Sequence, residues 1–320
     1  MSIVRNVLLA ASTNKWLRDR ATKTPFVMRS VSRFMPGEQL EDAMAAAARL
    51  QAAGIGAILT RLGENLTSAG DAEDVTRHYL HALDQIHAAR LDAQISVKPT
   101  QLGLDFDPAF CHRNLQRLLD RAAAYGNFIW MDMESATYVD ATLALFRQAR
   151  ERSPLVGVAL QAYLFRTERD LAGLLPLGAA LRLVKGAYLE SPGVAFARKR
   201  DVDANYYRLA CRILNEHERP GSLLHIATHD STLIDRLARY IETRHVPASA
   251  YEYAMLYGIQ EPLQHRLVEA RCRVRVLISY GEHWFPWYMR RLAERPANIL
   301  FMIKNLIPGS GGAGRAGGAR

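Results

Sequence analysis

The chain has 320 residues, 49% of them hydrophobic and 23% charged, with a formal net charge of +9. That composition suits a globular protein with a sizeable core, and no run of about 18 apolar residues reads as a transmembrane helix. Three cysteines (Cys111, Cys211, Cys272) lie far apart without a C-x-x-C pair, which argues against a disulfide framework or a zinc site and fits a reducing compartment.

From the N-terminus, MSIVRNVLLAAST followed by WLRDR reads as an amphipathic first helix rather than a signal peptide, because Asn6 interrupts the apolar run. Beyond it, short β-rich runs alternate with longer helical patterns. The runs Gly56–Thr60, Gln94–Lys98, Phe128–Met133, Val156–Gln161, Leu181–Lys185, Leu223–Thr228, Ala250–Ala254 and Val274–Ile278 read as strands. Amphipathic stretches lie between and before them at Leu40–Ala53, Asp71–Arg90, Phe110–Tyr125, Thr137–Arg150, Asp201–Glu218 and Ser231–Arg244. Strands separated by helices predict parallel βαβ units, and eight of them predict an α/β fold of the (β/α)8 TIM-barrel type with additional N-terminal helices. A doubly wound open sheet is the competitor, but the spacing of Gly54 and Gly56 does not match its G-x-G-x-x-G signature. The expected organisation is an N-terminal helical extension over residues 1–55, a catalytic barrel over 56–308 and a disordered Gly-rich tail over 309–320.

Barrel enzymes carry their chemistry at the C-terminal ends of the strands. Here those ends offer Lys98, Asp132, Gln161, Arg182 with Lys185, Thr228 with His229, Glu252 with Tyr253, and Tyr280. Each alone could be a strand meeting solvent; together they describe a polar mouth in which cations predominate, suited to an anionic substrate or cofactor. His229 has no second histidine at ligand spacing, so no metal is expected. No G-x-S-x-G elbow occurs, which leaves a nucleophilic hydrolase without support. Lys98 or Lys185 could form a Schiff base, which keeps a lyase open on chemistry alone. The net positive charge is spread among acidic residues apart from clusters such as Ala197–Arg200, with no nucleic-acid motif, so no nucleic-acid partner is expected.

The segment Tyr280–Arg295, YGEHWFPWYMRRLAER, follows the last run. On a helix, Tyr288 and Arg291 share a face, as do Arg290 and Glu294. Two readings are open: a basic surface helix with an internal salt bridge, or a guanidinium clamp for a small carboxylic acid, walled by aromatics.

Taken in order, SVKPTQLGLD, DME (Asp132–Glu134), LQAYLFRTERDL, LRLVKGAY, ATHD, YEYAMLYG and YGEHWFPWYMRRLAERP resemble the proline dehydrogenase family from about Lys98 to Pro296. The resemblance implies a distorted (β/α)8 barrel holding FAD without a Rossmann motif. By it, Lys98, Arg290 and Arg291 would bind the proline carboxylate, Tyr288 would pack on the ring and Glu294 would pair with the clamp. Tyr188 and Leu256 would line the substrate pocket. Asp132 would organise the site beside Lys98, and Arg182 would supply a cation near the reacting part of the flavin. Met133, Gln161, Arg182, Val184, Lys185, Gly186, Ala187, Thr228 and His229 match flavin-contacting positions. The implied reaction is oxidation of L-proline to Δ1-pyrroline-5-carboxylate, the first step of proline catabolism to glutamate, with electrons passed to a membrane quinone.

The chain ends soon after the predicted barrel, so a monofunctional enzyme is expected, with a separate pyrroline-5-carboxylate (glutamate semialdehyde) dehydrogenase downstream. A cytoplasmic location is expected, and the basic charge and N-terminal helix are compatible with peripheral contact at the inner face of the cytoplasmic membrane. One position departs from the family pattern: Leu277 in VLISYG stands where a tyrosine is frequent beside the ring. It keeps a hydroxyproline-type dehydrogenase as an alternative, alongside the Schiff-base lyase and an inactive basic binding protein on the same barrel.

Overall fold

The computed structural model describes residues 31–63, 66 and 68–294, with side chains up to residue 289. The amphipathic first helix and the Gly-rich tail expected from the sequence lie outside the described residues. Within residues 34–282, which form one compact unit, eight parallel strands close into a barrel in sequence order. They are β1 (Gly56–Arg61), β2 (Ala93–Val97), β3 (Ile129–Met131), β4 (Val156–Gln161), β5 (Ala180–Val184), β6 (Leu223–Ala227), β7 (Tyr251–Leu256) and β8 (Val274–Tyr280). The pairing of Gly56–Arg61 with Arg275–Tyr280 joins the last strand to the first and removes both sheet edges. The α/β barrel expected from the sequence is therefore the observed fold.

The helices of the unit are α1 (Leu40–Ala52), α2 (Ala69–Ala88), α3 (Pro108–Tyr125), α4 (Val139–Arg152), α5 (Thr167–Ala172), α6 (Lys199–Leu214), α7 (Ser231–Thr243) and α8 (Glu261–Glu269). Local chemistry sets several of their ends. Ser68 and Asp71 exchange a capping box at the start of α2. Asp107 accepts from the N–H groups of Ala109 and Phe110 ahead of Pro108, and Gly126 closes α3 in the left-handed region at φ +63°. Asp230 caps α7. Helix α1 packs against β1 and β8, burying Leu40, Ala43, Ala46 and Ala47 in the main core.

Two differences from the sequence expectation have physical reasons. Strand β3 stops at Met131 because the Asp132 carboxylate joins a polar cluster beyond the ladder. Strands β7 and β8 run two residues further than expected because Leu256 still pairs with Leu277, and Tyr280 with Arg61. The short helices α5 and α8 show too few turns for their apolar period to be read.

A second compact unit includes α9 (Trp284–Glu294). Its Trp284, Phe285, Trp287 and Tyr288 are buried, and Trp284 meets Tyr288 edge-on with ring centroids 6.1 Å apart.

Candidate active site

Alternate strand residues point into the barrel. Ser96 on β2, Trp130 on β3, Arg182 on β5 and His225 on β6 all do so, and they meet. The Trp130 indole is wholly buried; Arg182 lies over it at 4.9 Å and His225 packs against it at 4.0 Å. Its Nε1 donates to Gln94 Oε1 at 2.8 Å, which fixes the ring as a platform across the barrel.

Above that platform Lys98 and Asp132, just beyond the ends of β2 and β3, converge with Arg182 on β5. Asp132 Oδ1 lies 3.3 Å from an Arg182 terminal nitrogen, and Oδ2 lies 3.7 Å from Lys98 Nζ. Ser96 Oγ joins the cluster, donating to Asp132 at 2.8 Å and accepting from Arg182 at 2.7 Å. Two cations thus face one carboxylate. Burial works against the charge on Arg182 and the Asp132 carboxylate supports it, and a guanidinium stays ionised under such opposition.

Among the described residues, the buried Arg182 Nε–H meets no acceptor, and the buried Gln161 Oε1, on the adjacent strand, meets no donor. The amide orientation of Gln161 is set by its Nε2, which donates to the Glu134 carbonyl at 3.1 Å. An unused donor and an unused acceptor on neighbouring strands, both buried, are what a polar heteroaromatic ring can satisfy.

The next residues around the mouth are Val184 to Tyr188, all half-buried. Gly186 has φ +114°, and a Cβ there would meet the Tyr163 ring at 2.1 Å, so only glycine lets the chain turn across that ring. Lys185 Nζ donates to Asp203 at 2.5 Å and Asp230 at 2.8 Å, and Lys199 bonds the same two carboxylates. This quartet latches the loop after β5 to the starts of α6 and α7. Burial alone would raise the Asp230 carboxyl, but the hydrogen bonds from both lysines hold it well below its ordinary range. Thr228 Oγ1 accepts from Asp230 N–H at 3.2 Å. His229 Nε2 accepts from Leu256 N–H at 2.9 Å, which fixes its tautomer with the hydrogen on Nδ1. Met133 is buried, whereas Leu256 and Leu277 are half-buried.

Three strand-end expectations are corrected. Glu252 is not at the mouth: β7 continues to Leu256, leaving Glu252 as its second residue. There it accepts from Arg275 Nε at 2.8 Å, from Arg273, and faces His225 Nε2 at 3.0 Å, while Arg275 also reaches Asp92 at 2.9 Å. Tyr280 points away from the interior, its hydroxyl 2.8 Å from His78 Nε2 on α2. Tyr253 likewise belongs to the outer core, edge-on to Tyr251. On α9, the helical backbone places Tyr288 with Arg291 and Arg290 with Glu294 on shared faces; the side chains of Arg290, Arg291 and Glu294 lie outside the described residues. Ser96, Trp130, Asp203 and Asp230 were missed. The available signal was positional: Ser96 shares strand parity with Lys98, and Trp130 with Asp132.

A depression of about 640 Å³ opens at the other end of the barrel, beside Gln51, Arg90, Asn127 and Phe128. Two of its polar side chains bond to backbone nearby, Gln51 to Arg90 O and Asp92 N–H and Asn127 to Ala93 O.

A sequence model described as proline dehydrogenase matches residues 43–304, about four-fifths of the chain. The chain belongs to the proline dehydrogenase family. That makes it an oxidoreductase and sets aside the lyase and the inactive binding protein. It is 35% identical over 306 residues to proline dehydrogenase 1 of Bacillus subtilis subsp. natto, covering 95% of this chain and 99% of that one. Against proline dehydrogenase of Deinococcus radiodurans it is 36% identical over 282 residues, 87% of this chain and 90% of that one. Among solved structures, proline utilization A from Bdellovibrio bacteriovorus superposes with a TM-score of 0.80 at 22% identity, over 92% of this chain and 37% of that one. At that identity the superposition shows the shared barrel, and this chain spans little more than a third of the length of that larger protein. The proline dehydrogenase match takes in all eight strands and α9, and so includes every residue of the mouth cluster. Among the described residues, no helix is long and apolar enough to cross a membrane, and no group of three or more acidic, histidine or cysteine side chains could hold a metal ion.

Proposed function

We propose that the barrel mouth binds FAD and L-proline and oxidises the amino acid to Δ1-pyrroline-5-carboxylate. The observation that carries this reading is the Lys98–Asp132–Arg182 cluster, with Arg182 Nε and Gln161 Oε1, among the described residues, left for a ligand. The residues fit a flavin: Gln161 and Arg182 offer one acceptor and one donor, Gly186 allows close backbone approach, and the latch at Lys185 holds the segment carrying Val184, Gly186 and Ala187. Met133, Thr228 and His229 complete the proposed flavin-contacting set. FAD, when bound, supplies the two-electron acceptor for a hydride leaving the carbon beside the ring nitrogen.

The chain's own residues then have separable tasks. Lys98 fixes the substrate carboxylate and so aims that carbon, an orientation effect; Tyr188, Leu256 and Leu277 exclude water around the apolar ring. By the family resemblance alone, Arg290 and Arg291 are assigned to the carboxylate, Tyr288 to the ring and Glu294 to the arginine pair. Asp132 holds Lys98 and Arg182 in their relative positions. Arg182 presents fixed positive charge in a site shielded from water, where charge developing in the transition state is stabilised most. The electrons pass on to a membrane quinone, reached by peripheral contact at the inner face of the cytoplasmic membrane. A separate pyrroline-5-carboxylate dehydrogenase consumes the product, whose hydrolysis gives an aldehyde.

The test is anaerobic mixing of the yellow, FAD-loaded protein with millimolar proline. Bleaching of the flavin band is expected; a band that survives saturating proline yet bleaches with dithionite removes the proposal. Leu277, aliphatic and half-buried midway along β8, favours one second reading, a hydroxyproline-type dehydrogenase. Faster bleaching by 4-hydroxyproline than by proline would select it.

A further inference from the structure

We propose that Ser96 is a positioning residue for the reaction, holding Arg182 and Asp132 in one fixed relation; this rests on the site reading above. Ser96 is wholly buried on the inner face of β2. Its hydroxyl has one proton and two plausible acceptors, Asp132 Oδ1 at 2.8 Å and the Trp130 carbonyl at 3.4 Å. The shorter bond to a carboxylate is the stronger. A guanidinium only donates, so the 2.7 Å contact from Arg182 must end on a serine lone pair. The polarity of the chain Arg182→Ser96→Asp132 is thereby settled, and successive bonds of that sense reinforce each other.

That chain has two geometric consequences. It ties one terminal nitrogen of Arg182 to both Ser96 and Asp132 Oδ1, with the Trp130 ring beneath the guanidinium. The group cannot rotate about its long stem, and its unpaired Nε–H keeps one direction. It also consumes Oδ1 of Asp132, leaving Oδ2 as the oxygen nearest Lys98. Ser96 is itself clamped from outside the barrel: Tyr79 Oη donates to its carbonyl at 3.1 Å while accepting from Arg61 N–H at 2.9 Å. A small residue merely filling a barrel layer would need neither the hydroxyl nor that bracing.

The experiment uses the FAD-loaded protein and compares Ser96→Ala, Arg182→Met and the double variant. For Ser96→Ala, the anaerobic rate of flavin reduction at saturating proline is expected to fall roughly tenfold to a hundredfold, the scale of a lost hydrogen bond to a charged group. KM for proline should change by less than about threefold, since the clamp is untouched. The midpoint potential of the bound flavin should shift in the same direction as in Arg182→Met. The double variant should be no slower than Arg182→Met alone, because the serine acts through the arginine. Ser96→Cys, similar in size and a poor hydrogen-bonding partner, is read in the same way should the alanine variant fail to fold. A near-wild-type rate in the serine variants beside a slow Arg182→Met overturns the role of Ser96 alone, as do effects that multiply in the double variant. A wild-type rate in Arg182→Met overturns the site reading itself, and the serine's role with it.

Discussion

Replacing Glu252 by glutamine separates a residue that supports the barrel from one that touches substrate. Its carboxylate is 2% exposed, and Arg275 beside it is 7% exposed. Burial alone would raise the Glu252 carboxyl, but His225 and the Arg275 charge hold it well below its usual range. In Glu252→Gln the Arg275 guanidinium keeps Asp92 at 2.9 Å and the Ala57 carbonyl at 3.3 Å, but loses its buried counter-charge. Removing one partner of a buried pair costs about 3–5 kcal/mol, and the remaining Asp92 contact places the expected loss near the lower end. At about 2–4 °C per kcal/mol for a domain of this class, thermal unfolding should begin roughly 6–12 °C lower. Differential scanning calorimetry of wild type and variant, with steady-state kinetics at a temperature where both are folded, reads both quantities. KM for proline should stay within about twofold, because the carboxylate lies beneath the Trp130 platform. A variant with the wild-type midpoint and a KM raised severalfold would refute the reasoning and return Glu252 to the mouth.

Three further outcomes are expected. Burial depresses His225 from 6.5 to about 4, so between those values the unfolded chain binds a proton that the folded chain refuses. Stability should therefore fall as pH drops from 6.5 towards 4, by at most about 3 kcal/mol from this group, and urea unfolding of His225→Asn across that window should show a flatter slope. Arg291→Met should raise KM for proline far more than it lowers FAD content, and an unchanged KM would refute the clamp. Leu277→Tyr should lower kcat/KM for 4-hydroxyproline relative to proline; an unaltered ratio would dismiss the proposed effect of Leu277 on ring substituents.

Strand β4 was legible from end to end because Val156–Gln161 is an unbroken apolar run closed by one polar residue, as expected of a strand covered on both faces. Lys98 and Asp132 were legible for a related reason: each is the first charged side chain after such a run, and strand parity carries both inward. Glu252 shows where that signal fails. In AYEYAML a carboxylate between two tyrosines looks like a strand about to leave the sheet, but it is neutralised by Arg275, 23 residues further on. Tyr280 misleads in the same way, since its partner His78 is 202 residues distant. A local pattern reports that a polar group must be satisfied, not by which distant group. Ser96 went unseen for the opposite reason: a buried serine in a strand has no anomalous local signature, and only the closure of the barrel brings it between Arg182 and Asp132.

The two ionic clusters inside the barrel are built on different terms, and the difference locates the chemistry. Beneath Trp130, Arg273 and Arg275 face Glu252 and Asp92, two charges against two, while burial keeps His225 neutral at pH 7. The formal charges of that cluster balance one another. Above Trp130, Lys98 and Arg182 both face Asp132, and among the described residues Arg182 Nε and Gln161 Oε1 are left over. Unpaired buried polar atoms cost free energy, on the order of 1–3 kcal/mol for each unmet group. A ligand that brings one acceptor and one donor recovers that cost on binding. Local polar dissatisfaction of this kind persists where function requires it.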